Sequence, residues 1–191
     1  MTESGKPYSQ KQVLGERVWS RKMEKDLKES VQKAWRIEAG EIDKIEAYMD
    51  YEAMERAVCL LAGAKRIAAS GCGHTGIACR HLAHLMCCIE RPARFISPSE
   101  GNHGGLGFLE EGDVLVLASR GGRTEELLPM LLAAIRKRVH VIAVTENPDS
   151  GLGRGAEVVL PIHIERETDP FNSQGTTSFV VMSALFDALQ A

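Results

Sequence analysis

Two short stretches of this sequence decide the fold, and they share one layout. The first is the turn Gly71-Cys-Gly-His-Thr-Gly76, which follows the strand-like run Arg66–Ser70. The second is the turn Ser119-Arg-Gly-Gly-Arg-Thr-Glu-Glu126, which follows the apolar run Val114–Ala118. Each turn leads into a stretch of helical periodicity. Backbone N–H groups can converge on an anion at such turns, so two of them in one parallel sheet indicate a phosphorylated ligand clamped between them.

The same alternation of strands and helices continues along the chain from Lys65. Apolar strands separated by helices predict a mostly parallel five-stranded sheet in a three-layer αβα sandwich, an α/β fold preceded by two N-terminal helices. The predicted strands are Arg66–Ser70, Ala93–Ser97, Val114–Ala118, Val139–Thr145 and Val158–Ile164. The predicted helices are Glu24–Met49, Tyr51–Ala62, Thr75–Ile89, Glu125–Lys137, Gly151–Gly155 and Thr177–Leu189.

The domain organisation follows from where this alternation begins. Residues 1–22 are polar and mixed, which predicts a flexible N-terminal arm. Residues 23–191 are predicted to form a single domain whose αβα core spans about 64–191. We expect the two N-terminal helices to pack on the sheet or on a partner subunit.

Composition narrows the class of protein. The chain has 191 residues, of which 44% are hydrophobic and 26% charged, which is normal for a globular protein. Its net charge of −3 argues against nonspecific binding to nucleic acid. The sequence has no apolar run of membrane-spanning length and no signal-peptide core, and its odd number of cysteines, 5, fits a reduced state. These features predict a cytoplasmic protein that binds no membrane.

The first turn also fits another type of ligand. Gly71-Cys-Gly-His-Thr-Gly76 matches the dinucleotide fingerprint G-x-G-x-x-G between a strand and a helix. The acid expected at the end of the next strand is missing, because Phe95-Ile-Ser97 runs into Pro98. The hypothesis of a dinucleotide-dependent oxidoreductase therefore rests on this turn alone.

The second turn has an ordinary alternative as well. The hydroxyls of Ser119 and Thr124 and the free backbone around Gly121-Gly122 can form a nest for phosphate oxygens. A solvent-exposed turn followed by Thr124 as a helix N-cap would account for Thr124 and Glu125. It would not account for the insertion of Arg-Gly-Gly-Arg.

Two later loops hold candidate catalytic side chains. His103 lies in the glycine-rich loop Ser99–Gly107, which could close over a ligand or could simply expose a histidine without function. Glu167 follows the last strand, where ligands of open α/β sheets collect, and burial would suit it to act as a general base. A solvated loop acid is the alternative for Glu167.

A metal site is less favoured than a phosphate site. His81, His84 and Cys88 would share one face of the helix after the first turn, but their spacing matches no common zinc pattern. Packing against the neighbouring apolar stripe accounts for the cysteines. We therefore predict no metal and no cofactor.

Taken together, these blocks resemble the sugar isomerase (SIS) domain family, and within it the arabinose-5-phosphate isomerase-like branch, over residues 38–190. The first turn is similar to the family's Gly-x-Gly-Lys-Ser-Gly. His103-Gly-Gly-Leu-Gly107 is similar to His-Gly-Asp-Leu-Gly, and Ser119-Arg-Gly-Gly-Arg-Thr124 to Ser-Asn-Ser-Gly-Glu-Thr. Thr145-Glu-Asn-Pro-Asp-Ser150 and Thr176-Thr-Ser178 follow in family order.

The resemblance implies a homodimer or homotetramer that binds a phosphorylated sugar across the carboxyl ends of the strands. By position it implies substrate and phosphate contacts at Gly73, Thr75, Ser119, Arg120, Gly121, Arg123 and Thr124. It also implies roles in ring opening and proton transfer for Glu167 and His103, with His74 in the place of the branch's lysine.

The sequence departs from the branch at several points. His74 replaces the lysine of the first turn, and Arg123 replaces the glutamate of the second, which reverses the charge there. The sequence ends at Ala191, before the branch's His-Pro-Gly-Gly segment, and lacks the paired CBS domains of many relatives. The leading hypothesis is a phosphosugar aldose–ketose isomerase, with a non-catalytic sugar-phosphate-binding regulatory module as the alternative.

Overall fold

Five apolar runs form one sheet in the computed structural model, which describes residues 21–191. All strand pairs are parallel, in the order β2-β1-β3-β4-β5. Every residue of β1 and β3 is buried, as expected for strands covered by helices on both faces. The strands are β1 Ile67–Ser70, β2 Ala93–Phe95, β3 Val114–Ala118, β4 His140–Thr145 and β5 Val158–Pro161.

Helices lie on both faces of this sheet. The helices of the described residues are α1 Arg21–Asp43, α2 Ile45–Tyr48, α3 Tyr51–Gly63, α4 Gly73–Cys88, α5 Pro98–Asn102, α6 Leu127–Arg136, α7 Gly151–Gly155 and α8 Thr177–Gln190, with a 3-10 helix at Gly105–Phe108. One core joins Leu61 of α3, Leu82 of α4 and Phe186 of α8 to one face. A second core joins Met130 of α6 and Leu152 of α7 to the other. The three-layer αβα sandwich is thus confirmed.

Some elements end earlier or begin elsewhere than predicted. The strand predicted to reach Ser97 ends at Phe95, because Ser97 caps α5 by accepting a hydrogen bond from the backbone N–H of Glu100 at 3.2 Å. The strand predicted to reach Ile164 ends at Pro161, a residue that has no N–H to donate to a ladder. The long first helix ends at Asp43, and a separate short turn of helix follows.

The chain forms two units, one up to Arg36 and one over Ile37–Ala191, and the site lies in the second. Residues 1–20 of the predicted arm lie outside the described residues. Its last two residues, 21 and 22, belong to α1, which begins at Arg21. The prediction of one domain over residues 23–191 stays a prediction. Within the second unit, Ala53, Ala57 and Leu61 of α3 belong to the core, so this helix packs on the sheet as expected.

The strand order fixes where a ligand crevice can form. From β1 the chain passes to β2 on one side, and then returns to β3 on the other side of β1. Such a reversal opens a crevice at the carboxyl ends of the two central strands. The turns that follow β1 and β3 are the two turns that decided the fold from sequence. Among residues 21–191, no helix combines the length and apolar character needed to cross a membrane.

Candidate functional site

The two glycine-bearing turns lie side by side in the crevice between β1 and β3. A Cβ atom added at Gly71 would stand 3.1 Å from the carbonyl oxygen of Ala118, the last residue of β3. It would also stand 2.9 Å from the side-chain methyl of Thr75. Only glycine therefore lets the first turn approach the end of the neighbouring strand this closely.

The first turn presents the start of a long helix to the crevice. Helix α4 begins at Gly73, whose φ is +56°, and no acid lies in its first turn. The side chain of Cys72 does not cap it, so the first backbone N–H groups keep their hydrogen-bonding capacity for an anion. The Thr75 side chain is half-buried, and that of His74 is exposed. The substrate contacts predicted for Gly73 and Thr75, and the catalytic role predicted for His74, stay predictions.

A cavity of about 380 Å³ opens beside this turn on the β2 side. Its lining includes Cys72, Ile77, Arg80 and Phe95. The guanidinium carbon of Arg80 lies 4.0 Å from the centre of the Phe95 ring, a stacked cation–π contact. Arg80 was not predicted from the sequence to line the crevice, although its position two turns into α4 after a phosphate-type turn could have indicated it.

The second turn is closed by its own hydroxyl groups. Ser119 Oγ and Thr124 Oγ1 lie 2.8 Å apart, and the backbone N–H of Gly122 donates to the carbonyl oxygen of Ser119 at 3.0 Å. Gly121 and Arg123 are exposed on the outside of the turn. Thr124 does not cap the next helix: α6 begins at Leu127, so the N-cap alternative for Thr124 is wrong.

Glu167 is a buried carboxylate beside these turns, with 2% of its surface exposed. Its Oε2 accepts hydrogen bonds from the backbone N–H of Ser178 at 3.1 Å and from the hydroxyl of Thr176 at 3.3 Å. Its backbone N–H donates to Asn172 Oδ1 at 2.6 Å. The start of α8 therefore holds Glu167, and the alternative of a solvated loop acid does not hold.

Arg120 connects the second turn to Glu167. Its Nη1 donates to Glu167 Oε1 at 2.9 Å, and its Nε donates to Glu146 Oε2 at 2.8 Å. From the sequence, Arg120 was predicted to contact the phosphate, and no role was predicted for Glu146. Glu146 directly follows β4, as Ser119 directly follows β3, so its place at the carboxyl end of a strand was the signal that could have found it.

The two candidate histidines occupy different surroundings. His74 adjoins the segment before α8: a Cβ added at Gly175 would stand 3.2 Å from the His74 Cβ, and the His74 ring meets Phe179 edge-on at 6.5 Å. His103 is exposed at the end of α5. Among residues 21–191 no hydrogen bond joins the ring of His103 to Glu167.

The candidate metal ligands on α4 have other partners. His81 Nε2 lies 2.7 Å from Asp187 Oδ1, and Cys88 Sγ lies 3.6 Å from His84 Nε2. Within residues 21–191, no three His, Cys, Asp or Glu side chains come together as a metal site would require. Cys79 is fully enclosed, and burial raises the pKa of its thiol well above the ordinary range.

Comparison with known proteins assigns this architecture to a family. The SIS domain pattern matches residues 60–191, so the chain belongs to the SIS domain family, as the motifs predicted. It is 30% identical over 164 residues to an arabinose 5-phosphate isomerase, KdsD, of Pseudomonas aeruginosa, covering 86% of this chain and 50% of that protein. It is 31% identical over 161 residues to the arabinose 5-phosphate isomerase KpsF of Escherichia coli, covering 84% and 51%.

The chain thus spans about half the length of the curated relatives it matches. A solved structure from Listeria monocytogenes, described as a candidate sugar-phosphate isomerase, superposes with a TM-score of 0.83. It is 38% identical and the match covers 86% of each chain. The resemblance to the arabinose-5-phosphate isomerase-like branch is therefore confirmed at the level of sequence and fold.

Proposed function

We propose that this chain is a phosphosugar aldose–ketose isomerase that works by enediol proton transfer. The observation that carries the proposal is the buried carboxylate of Glu167 beside a turn closed by the hydroxyls of Ser119 and Thr124. The arabinose 5-phosphate isomerases among its relatives and the similar Listeria protein support the same chemistry. A base and a phosphate-binding turn at one end of a sheet are the two parts that this reaction requires.

The reaction follows from these parts. The substrate phosphate lies between the turns, with contacts from Gly73, Thr75, Ser119, Gly121 and Thr124. Arg123, exposed on the second turn, adds positive charge there.

Glu167 takes the proton from C2 of the open-chain aldose, and the electrons of that C–H bond form the C1–C2 double bond while O1 gains a proton. The same carboxyl group then returns its proton to C1 as the O2 hydroxyl loses its own, which yields the ketose. A carboxylate suits this task because it can reach two adjacent carbons. His103 and His74 assist ring opening and move the hydroxyl protons.

Proton NMR in D2O tests this proposal directly. The protein is incubated with a panel of pentose, hexose and heptose phosphates, and deuterium is followed at the carbon beside the carbonyl. We expect exchange together with the appearance of the isomer for one class of sugar, and no turnover for Glu167→Gln. Glu165→Gln is the matched control, because the Glu165 side chain is 66% exposed and pairs with Lys44. Equal turnover by Glu167→Gln would remove Glu167 from the role of base.

One observation favours the second candidate, a non-catalytic sugar-phosphate-binding module. Both carboxylate oxygens of Glu167 already have protein partners, which limits its capacity to accept a substrate proton. Such a module would broaden the lines of a bound phosphosugar without deuterium exchange. The NMR experiment therefore separates the two candidates in one measurement.

We also propose that the chain acts as a homodimer or homotetramer in the cytoplasm. Leu132 and Ile135 on the outer side of α6 are large apolar side chains that are exposed in the single chain, and burial in an oligomer would stabilise them. Sedimentation equilibrium would report the mass. A monomer at micromolar concentration would contradict this part of the proposal.

A further inference from the structure

The side chain of Arg120 bridges two carboxylates that come from different strand ends. Glu146 follows β4 and accepts from Arg120 Nε, while Glu167 lies beyond β5 and accepts from Arg120 Nη1, at 2.8 and 2.9 Å. The other oxygen of Glu146 accepts the backbone N–H of Ile164 at 2.9 Å, three residues before Glu167. We call Arg120, Glu146 and Glu167 the carboxylate clamp.

The backbone on both sides of the clamp is also fixed. The carbonyl oxygen of Arg120 accepts the backbone N–H of Glu146 at 2.8 Å and the hydroxyl of Thr145 at 3.0 Å. The guanidinium is planar and offers its donors in a rigid fork, so it can hold two carboxylates in one fixed relation. The Arg120 side chain therefore links the end of β3 to Glu167, in addition to the donors at the start of α8.

The clamp also sets the charge balance around Glu167. A carboxylate that is almost fully buried is costly unless an opposite charge and hydrogen bonds compensate it. Arg120 supplies the positive charge, and the donors from Thr176 and Ser178 are neutral. Other charged or titratable groups lie near this segment. Arg166 Nε lies 3.4 Å from the carbonyl oxygen of Glu167, and His163 lies 3.8 Å from Glu146. Glu165 and Glu41 both pair with Lys44.

We propose that Arg120, anchored by Glu146, is a positioning residue that aims the Glu167 carboxylate at the substrate and supplies its counter-charge, rather than a contact to the phosphate. This inference rests on the proposed isomerase function and assigns part of its machinery. Phosphate recognition is then left to the hydroxyls and backbone of the second turn and to Arg123. The two arginines of one turn thus have different tasks, which makes them a matched pair for a test.

The first experiment measures kcat and KM for the wild type, Arg120→Gln and Arg123→Gln. For Arg120→Gln we expect kcat to fall about 100-fold, as for loss of an effective general base. KM should change little, because the phosphate contacts remain. For Arg123→Gln we expect KM to rise while kcat changes little.

The conservative variant Arg120→Lys separates charge from geometry. Lysine keeps the positive charge but cannot fork to two carboxylates. We expect kcat of Arg120→Lys to fall about 10-fold, less than the fall of about 100-fold in Arg120→Gln, with little change in KM. If Arg120→Gln does not fold, this variant carries the test. A raised KM with an unchanged kcat in Arg120→Lys would assign Arg120 to the phosphate and overturn the proposal.

A second measurement does not depend on turnover. Protein labelled with 13C at the glutamate carboxyl carbon is observed by NMR at one pH, and the Glu167 signal is identified by its loss in Glu167→Gln. We expect the chemical shift of this signal to change in Arg120→Gln, because the carboxylate loses the Nη1 donor that lies 2.9 Å away, and to keep its wild-type value in Arg123→Gln. This result, together with a wild type that isomerises no phosphosugar, would leave the clamp standing and refute the proposed function. A Glu167 signal at the same chemical shift in Arg120→Gln as in the wild type would overturn the clamp, whatever the activity.

Discussion

Substitution of Gly122 by alanine should destabilise this protein more than substitution of its neighbour Gly121. Gly122 has φ of +66°, and an added Cβ would stand 2.5 Å from the Cβ of Ser150 and 2.0 Å from its Oγ. Rotation of the Ser150 side chain can move the Oγ but not the Cβ, so the backbone itself must shift. Ser150 also caps α7, because its Oγ accepts the backbone N–H of Gly153 at 3.0 Å.

Three costs contribute to the expected loss of stability. The left-handed backbone costs alanine about 1 kcal/mol. Displacement of the Ser150 cap costs about 1 kcal/mol, and the steric overlap adds about 1 kcal/mol. We therefore expect Gly122→Ala to lower the free energy of unfolding by about 3 kcal/mol. Gly121 has open space around it, so Gly121→Ala should change the free energy by less than about 0.5 kcal/mol.

Urea unfolding of the two variants, followed by circular dichroism, measures this difference. The double variant Gly122→Ala with Ser150→Gly removes the Cβ–Cβ overlap, while glycine at the N-cap position costs only a few tenths of a kcal/mol. We expect the double variant to recover about 1 kcal/mol relative to Gly122→Ala alone. Equal unfolding midpoints for Gly121→Ala and Gly122→Ala would refute this account of the second turn.

Three further substitutions or reactions test other parts of the structure. Asp113→Asn should lower the free energy of unfolding by about 2 kcal/mol in urea, because the buried carboxylate accepts both the backbone N–H and the Nε of Arg66, at 3.1 and 3.0 Å. Cys79 should resist iodoacetamide in the native protein while exposed Cys59 reacts, since burial raises the pKa of the Cys79 thiol. Mass spectrometry that found the two cysteines labelled equally would contradict this. The backbone N–H of Gln174 and other donors of the same loop lower the pKa of Asp169 below its ordinary 3.8. The ionised Asp169 therefore stabilises the folded state above pH 3.8, and this contribution is lost as the pH falls through the lower folded pKa. We expect the urea unfolding midpoint of Asp169→Asn to lie below that of the wild type at pH 6 and the two midpoints to converge at acid pH. A difference between the midpoints that stayed constant down to acid pH would count against this.

Much of the fold could be predicted from local sequence. The runs that became β1 and β3 are short and apolar, and each precedes a glycine-bearing turn and a helical period, so element type and parallel pairing followed from pattern. The ends of elements were less certain. Ser97 extended a strand pattern by composition but caps α5 in the structure, because a hydroxyl before Pro98 favours the start of a helix.

The candidate site was predictable only in part. Ser119, Thr124 and Glu167 could be proposed as site residues from the sequence because each directly follows a predicted strand or lies in a turn beside one. Glu146 was missed, although it also follows a strand, because a single acid in a turn carries no distinctive local signal. The burial of Glu167 could not be derived from its neighbours in sequence, since the donors to its carboxylate come from Arg120 and from the start of α8 with its N-cap Thr176.

The sequence by itself determined the layers, the order of elements and the two turns at the ends of β1 and β3. It did so because these features depend on periodicity and on turn chemistry within a few residues. Only the tertiary structure decided what the Arg120 side chain contacts, because its partners lie 26 and 47 residues away along the chain. A guanidinium in a glycine-rich turn is chemically suited to phosphate and to carboxylate alike. Strand order and register brought Glu146 and Glu167 within its reach, and those are properties of the assembled sheet.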